Sequence, residues 1–334
     1  MIITKTPLRI SFCGGGTDIS AFYEREEGVV ISSAISLYIY LVIHSFFENR
    51  FMLKYSQAEC VDTVEEVQHP LIRECLAMTR SRPPLEIASF ADLPSKGSGL
   101  GSSSAFAVGL LKGLYSYQGL NVSCETCARQ ACEIEIDKLV EPIGKQDQYA
   151  CAYGGTNLIR FKVDGDVHVE PIVMSREQRK EITGSLLLFY TGITRKASEV
   201  LEEQKQRTSS RQDTFDVLRR MRDQALALAE DFAKGDHQKL GKHLHQAWQW
   251  KQSLASKVSN GKLGAIYSRA MQAGAEGGKL LGAGGGGFFL FYCKPSKQVQ
   301  LCEALSDLLR VPFSLDSQGS RIIFSDENTF AWQQ

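Results

Sequence analysis

Two α+β domains, residues 1–181 and 182–334, are what the sequence predicts. Three observations carry this. At 334 residues the chain is longer than one hydrophobic core ordinarily serves. Its first part is dominated by segments in which every second residue is apolar, the pattern of half-buried strands. Near residue 182 the texture changes, and apolar residues recur at spacings of three and four, as on helices facing a core.

The elements follow in order. Residues 2–12 read as a strand running into Cys13-Gly14-Gly15-Gly16-Thr17-Asp18. Residues 35–43 alternate as a strand with which 51–55 can pair. His69-Pro70 opens a short helix, proline being tolerated at a first helical position. A strand at 85–90 leads through a glycine- and serine-rich loop to an apolar helix over 105–117. Ser123 is placed to cap a helix reaching Val140, which Pro142 ends. Strands at 157–161 and 167–172 follow Gly154-Gly155. Beyond a strand at 185–190, Leu218, Met221, Ala225, Leu228 and Phe232 share one helix face, and Leu240, Leu244, Ala247, Leu254 and Val258 another, which Asn260-Gly261 can end. A third helix near 266–274, a strand at 288–292, a helix at 297–309 and a strand at 321–324 complete the chain.

Composition narrows the function. Hydrophobic residues make up 43% and charged residues 23%, which is ordinary for a globular protein and too apolar for a disordered one. Lys plus Arg and Asp plus Glu are 38 each, with no basic stripe, so neither nucleic acid nor an anionic membrane is an expected partner. No stretch approaches the ~20 apolar residues that span a bilayer, and no charged leader precedes an apolar block. Nine scattered cysteines suit a reducing compartment, so a cytoplasmic location is expected. Cys124 and Cys127 stand without a second pair or a nearby histidine and read as helix residues, as do His243 and His245.

The chemistry sits in three glycine-rich loops and two acids. In Leu93-Pro94-Ser95-Lys96-Gly97-Ser98-Gly99-Leu100-Gly101-Ser102-Ser103-Ser104, small residues let backbone approach an anion. The helix start that follows offers free N–H groups and the positive end of a dipole. A flexible linker would not run straight into a tightly apolar helix. No Lys-Ser pair follows the glycines, so this is not a Walker A loop. Gly282-Ala283-Gly284-Gly285-Gly286-Gly287 matches the dinucleotide fingerprint in letters, but a strand follows it where that motif needs a helix. Glu135 falls within the apolar stripe of Ala128, Ala131, Cys132 and Leu139, and a carboxylate there needs a partner or a metal. The alternative to a metal is an internal salt bridge. With Asp147, twelve residues on, and the serine-rich loop, it makes a set suited to Mg²⁺-assisted phosphoryl transfer.

These motifs resemble those of the GHMP kinases, in the family's order and over nearly the whole chain. Pro7-Leu8-Arg9-Ile10-Ser11-Phe12-Cys13-Gly14-Gly15-Gly16-Thr17-Asp18 resembles the first motif, 94–105 the second, and 279–288 the third. Pro142-Ile143-Gly144-Lys145-Gln146-Asp147-Gln148 resembles the galactokinase run P-C-G-I-M-D-Q. The resemblance implies a first domain like domain 2 of ribosomal protein S5, a ferredoxin-like second domain, and an active site between them. It implies that Lys96 to Ser104 wrap the ATP phosphates, that Ser103 (or a neighbouring serine) and Glu135 hold Mg²⁺, and that Asp147 takes or orients the acceptor proton. Arg9 is then the group stabilising transferred charge, and Gly14 to Asp18, with Gly284 and Gly285, face the substrate.

Gly14-Gly15-Gly16 departs from the galactokinase G-E-H and, with the closing glycine run, resembles the branch acting on a heptose 7-phosphate. That implies transfer to the anomeric hydroxyl of D-glycero-D-manno-heptose 7-phosphate, giving the 1,7-bisphosphate. A phosphorylated sugar needs cations at its far end. Arg195 and Lys196, in Thr191-Gly192-Ile193-Thr194-Arg195-Lys196, lead the candidates, with Arg160 and Lys145 as alternatives. A kinase of a free sugar such as L-fucose, or a silent sugar-sensing relative, is the competing expectation. ATP and a sugar are the expected partners of a monomer or homodimer.

Overall fold

The computed structural model describes residues 1–93, 97–193, 197–255, 258 and 261–326. The described strands form two sheets. The first has eight: β1 (Ile2–Cys13), β2 (Gly28–His44), β3 (Phe51–Lys54), β4 (Ala58–Val61), β5 (Leu85–Ala91), β6 (Thr156–Phe161), β7 (Val167–Pro171) and β12 (Arg321–Ser325), ordered β12-β1-β2-β5-β3-β4 with β6 and β7 branching from β2. The second is the antiparallel sheet β11-β8-β10-β9, made of β8 (Leu186–Tyr190), β9 (Gly277–Leu280), β10 (Phe288–Tyr292) and β11 (Leu309–Val311). This is the two-domain fold the motifs imply.

The strand β2 runs 17 residues, well before the alternating half seen in the sequence. Its first eight residues are all buried, so nothing there alternates. This long strand is a spine: its start pairs with β6, its end with β5, and β1 lies along its other edge. The segment at 51–54 pairs with β5 in parallel and with β4, not with β2, because β5 lies between them. At the far end, β12 pairs with β1, so the close of the chain is built into the first sheet.

The helices are α1 (Ser20–Tyr23), α2 (Pro70–Met78), α3 (Ser102–Tyr117), α4 (Cys124–Cys132), α5 (Gln146–Tyr153), α6 (Arg176–Ser185), α7 (Ala197–Ser210), α8 (Gln212–Ala233), α9 (Leu240–Leu254), α10 (Gly261–Gln272) and α11 (Gln298–Ala304). His69 and Ser123 cap α2 and α4 as expected. The Ser175–Gln178 capping box starts α6, a signal legible in the sequence. The expected helix over 297–309 is shorter, because its end turns into β11.

One core joins the two sheets. Ala225, Leu228 and Phe232 of α8, with Leu244 and Ala247 of α9, share a buried cluster with Phe12 and Val29 of the first sheet and Phe288 and Leu290 of the second. Phe289 and Phe291 point the other way, into a second cluster around Trp248. With both faces of β10 buried, its five residues are all apolar or aromatic. At the edge, Glu26 receives Arg219 and Arg222 of α8, which hold its carboxyl at about 2. The cleft between the sheets is thereby held by packing on both walls.

Candidate active site

The second glycine loop ends in α3. Gly97, Gly99 and Gly101 all take left-handed φ, and no side chain caps the helix start. Its first N–H groups therefore face the cleft as an anion site. Leu100 is buried, while its carbonyl accepts the Arg9 N–H at 3.0 Å. Lys96, Arg195 and Lys196 lie outside the described residues.

The third loop braces the second. A Cβ at Gly282 would stand 2.4 Å from the Gly99 Cα, and one at Gly287 would stand 2.7 Å from the Ser98 carbonyl oxygen. Backbone against backbone explains the run of glycines, where a dinucleotide does not. Gly284 and Gly285 pack on Val258; Gly282 and Ala283 line the cleft instead. Gly282→Ala should shift the phosphate loop, costing about 1–3 kcal/mol of stability and raising the KM for ATP tenfold or more. Thermal melting and nucleotide titration check this, and unchanged values in both would remove the bracing role.

Arg9 of β1 reaches two elements. Its Nε and Nη2 donate to Asp147 Oδ1 and Oδ2 at 2.8 and 2.6 Å, and Nη1 donates to the Gly99 carbonyl at 2.7 Å. The fork fixes the first turn of α5 against the phosphate loop. Gly101 lies beside it, where a Cβ would stand 3.2 Å from Arg9 Cγ and 3.4 Å from Asp147 Oδ2. Arg9 is buried, but the Asp147 side chain keeps 24% of its surface open, facing the cleft.

Glu135 is 1% exposed. Past α4 the helix widens into a π turn over Glu133–Lys138, a departure common at functional sites and invisible to a fixed helical period. Ser103 Oγ donates to Oε1 at 2.5 Å and Gln148 Nε2 to Oε2 at 2.6 Å. Among the described residues no cation pairs with it, so the internal salt bridge is not formed. Burial pushes its carboxyl up to about 7, against the pull of the Ser103, Ser104 and Gln148 donors and with Asp147 adding to the rise. A buried carboxylate beside an exposed serine, on the phosphate loop, fits a divalent cation that takes its other ligands from phosphate and water. No group of three or more His, Cys, Asp or Glu is set for a metal among the described residues.

Across the cleft, Asp18 is buried and accepts the N–H groups of Gly16 at 2.8 Å and Gln146 at 3.3 Å. Burial, then Asp147, raises its carboxyl above the usual range. Gly15, Gly16 and Asp18 line the cleft. Gly14 and Thr17 turn away from it. A Cβ at Gly14 would meet the Val29 carbonyl oxygen at 1.9 Å, and Thr17 Oγ1 donates to the Gly14 and Val29 carbonyls to hold the turn.

Ser11, Gln146, Lys251 and Lys279 are among the lining residues to which the sequence assigned no role. Ser11 Oγ and Gln146 Oε1 are buried without a hydrogen-bond partner, beside Gly15, and suit a polyhydroxylated ligand. Lys251 and Lys279 are buried cations in the cleft, 8% and 3% exposed. Lys279 Nζ donates to the Phe12 carbonyl at 3.1 Å; Lys251 Nζ donates to the Leu280 carbonyl at 3.1 Å and to that of Gly282. Burial carries Lys251 well below the ordinary lysine value, helped by Lys279 and Arg9, and brings Lys279 to about 8. Lys251 continues the stripe of Leu244, Ala247 and Leu254, so the argument that finds Glu135 would have found it too.

The cleft holds about 300 Å³. On the other side of Ser102 and Ser103 opens a cavity of about 360 Å³, with Tyr55, His69, Leu71, Phe90 and Phe106 in its wall. The His69 ring stacks on Phe106 with centroids 5.6 Å apart, and Tyr55 meets it edge-on. An aromatic pocket next to a phosphate loop suits a nucleobase.

No helix among the described residues is long and apolar enough to cross a membrane. Models of the GHMP kinases N terminal domain and the GHMP kinases C terminal domain match residues 64–155 and 228–310. The chain is 30% identical over 319 residues to D-glycero-alpha-D-manno-heptose 7-phosphate kinase of Campylobacter jejuni, covering 91% of this chain and 93% of that one. It is 27% identical to the bifunctional fucokinase/GDP-fucose pyrophosphorylase of Arabidopsis thaliana, over 89% of this chain and 30% of that protein. The crystal structure of a D-glycero-D-manno-heptose 1-phosphate kinase from Bacteroides thetaiotaomicron superposes with a TM-score of 0.80 at 25% identity, covering 97% of this chain and 100% of that one.

Proposed function

Because the chain belongs to the GHMP kinases and matches sugar kinases among them over most of its length, we propose that it uses Mg²⁺ and ATP to phosphorylate the anomeric hydroxyl of D-glycero-D-manno-heptose 7-phosphate. The observation that carries the reading is the Arg9–Asp147 fork, placed between the phosphate loop and the polar wall of Ser11, Asp18 and Gln146. The heptose itself is supported by the Campylobacter relative.

The loop N–H groups and the start of α3 hold the phosphates. Asp18, Ser11 and Gln146 hold sugar hydroxyls, turning one toward Asp147. The hydroxyl oxygen forms its bond to phosphorus as the bond to the ADP oxygen breaks, and its proton passes to the open face of Asp147. Arg9, already held by Asp147 and Gly99, directs fixed positive charge at the transferring group without reorganising. Ser103 and Glu135 would hold Mg²⁺, which when bound neutralises phosphate charge.

ADP release with ATP and Mg²⁺ tests this against D-glycero-D-manno-heptose 7-phosphate, the unphosphorylated heptose, fucose, galactose and mevalonate. Turnover at least tenfold faster with the 7-phosphate than with any other is expected. Preference for a free sugar would keep the kinase and discard the heptose phosphate.

A further inference from the structure

We infer that Lys251 and Lys279 form a second phosphate-binding subsite in the cleft, separate from the glycine-rich loop. Both side chains line the cleft and both are more than nine-tenths buried. Among the described residues their amines donate only to main-chain carbonyls: Phe12 for Lys279, Leu280 and Gly282 for Lys251. Asp18 acts on both, and Asp147 on Lys251, from beyond ion-pair distance.

A buried amine gives up its proton or takes an anion, and with no carboxylate at ion-pair distance among the described residues a bound anion is what would keep both lysines charged. The fold retains them where a phosphorylated ligand must pass. Burial lowers the proton affinity of both, helped by Lys279 and Arg9 at Lys251 and by Arg9 at Lys279, and a bound dianion would reverse that. Arg195 and Lys196 lie outside the described residues, and the other cations weighed for this task are engaged elsewhere. Arg160 pairs with Glu27 at 2.8 Å and Glu170 at 2.7 Å. Lys145 donates to the Gly165 carbonyl at 2.7 Å and lies over the Tyr23 ring.

The ligand chemistry is a phosphate dianion, and in this cleft it has two sources: a phosphate carried by the acceptor, or the terminal phosphate of ATP. The inference rests on ATP-dependent phosphoryl transfer in this cleft and not on the identity of the sugar.

Inorganic phosphate is the probe, titrated calorimetrically into wild type, Lys251→Met and Lys279→Met. Each titration is run with Mg·ADP bound and again with a non-hydrolysable Mg·ATP analogue bound. Each substitution should weaken phosphate binding about 10- to 100-fold, the loss of a charge-assisted hydrogen bond, with Mg·ADP affinity changed less than about twofold. Lys251→Gln and Lys279→Gln, which keep a donor for the carbonyls, replace any methionine variant that does not fold. Phosphate binding in both nucleotide states assigns the subsite to the acceptor's phosphate; binding with ADP alone assigns it to the terminal phosphate of ATP. Equal affinity in wild type and both variants, or no binding to wild type, overturns the subsite. A wild type that binds phosphate this way yet turns over no heptose 7-phosphate keeps the subsite and loses only the proposed sugar.

Discussion

Asp147→Asn should lower kcat by about 10²- to 10⁴-fold while moving the KM of either substrate little, because the lost interaction belongs to the transition state. The same change should destabilise the protein. Both carboxylate oxygens accept from Arg9, so an amide there turns a donor toward a donor and leaves a buried guanidinium without its counter-charge. Breaking a buried pair by removing one partner costs roughly 3–5 kcal/mol, and the 24% exposure of Asp147 places this case near or below the lower end. Arg9→Met combined with Asp147→Asn separates the two effects. The double variant should recover most of the melting temperature and none of the turnover. Turnover within tenfold of wild type in Asp147→Asn would remove Asp147 from the chemistry and leave it as the anchor of Arg9.

Glu135→Gln should cut turnover at least 100-fold and raise the Mg²⁺ concentration needed for half-maximal rate, while making the metal-free protein more stable above pH 7. In the folded protein the Glu135 carboxyl titrates at about 7, against an ordinary value of 4.5. The folded state therefore keeps a proton that the unfolded state releases between those values. Stability falls as pH rises through that window, by about 3 kcal/mol at most, and the full penalty stands above about pH 7. Glutamine cannot ionise and escapes it, with its oxygen able to accept from Gln148. The melting difference between variant and wild type should accordingly be small at pH 5 and large at pH 8. Mg²⁺ with nucleotide should stabilise wild type and not the variant. Identical melting curves at both pH values would mean that Glu135 meets its charge some other way.

Much of this was legible in the amino-acid order because the relevant signals are local. A glycine-serine run before an apolar helix marks an anion loop wherever it folds, and Ser123 or His69 caps its helix through a neighbour three residues on. Glu135 announced itself by its place in an apolar stripe, and burial without a cation is what the structure returned. Segments with both faces covered were not legible: the first half of β2 and the short strand β9, with its paired glycines, carry no alternation.

What the sequence by itself determined is the kind of chemistry: phosphate loops, a carboxylate that must be compensated, and an arginine and an aspartate in motifs of recognisable order. Only the tertiary structure decided which charges lose their water. Arg9 and Asp147 are 138 positions apart, and Lys279 donates to a carbonyl 267 positions away. Gly99 and Gly282 touch because two sheets share the packing of α8 and α9. Desolvation is a property of everything that surrounds a group, most of it distant in sequence. Lys279 therefore reads as an ordinary lysine until the cleft closes around it, whereas Lys251 already stood in an apolar stripe.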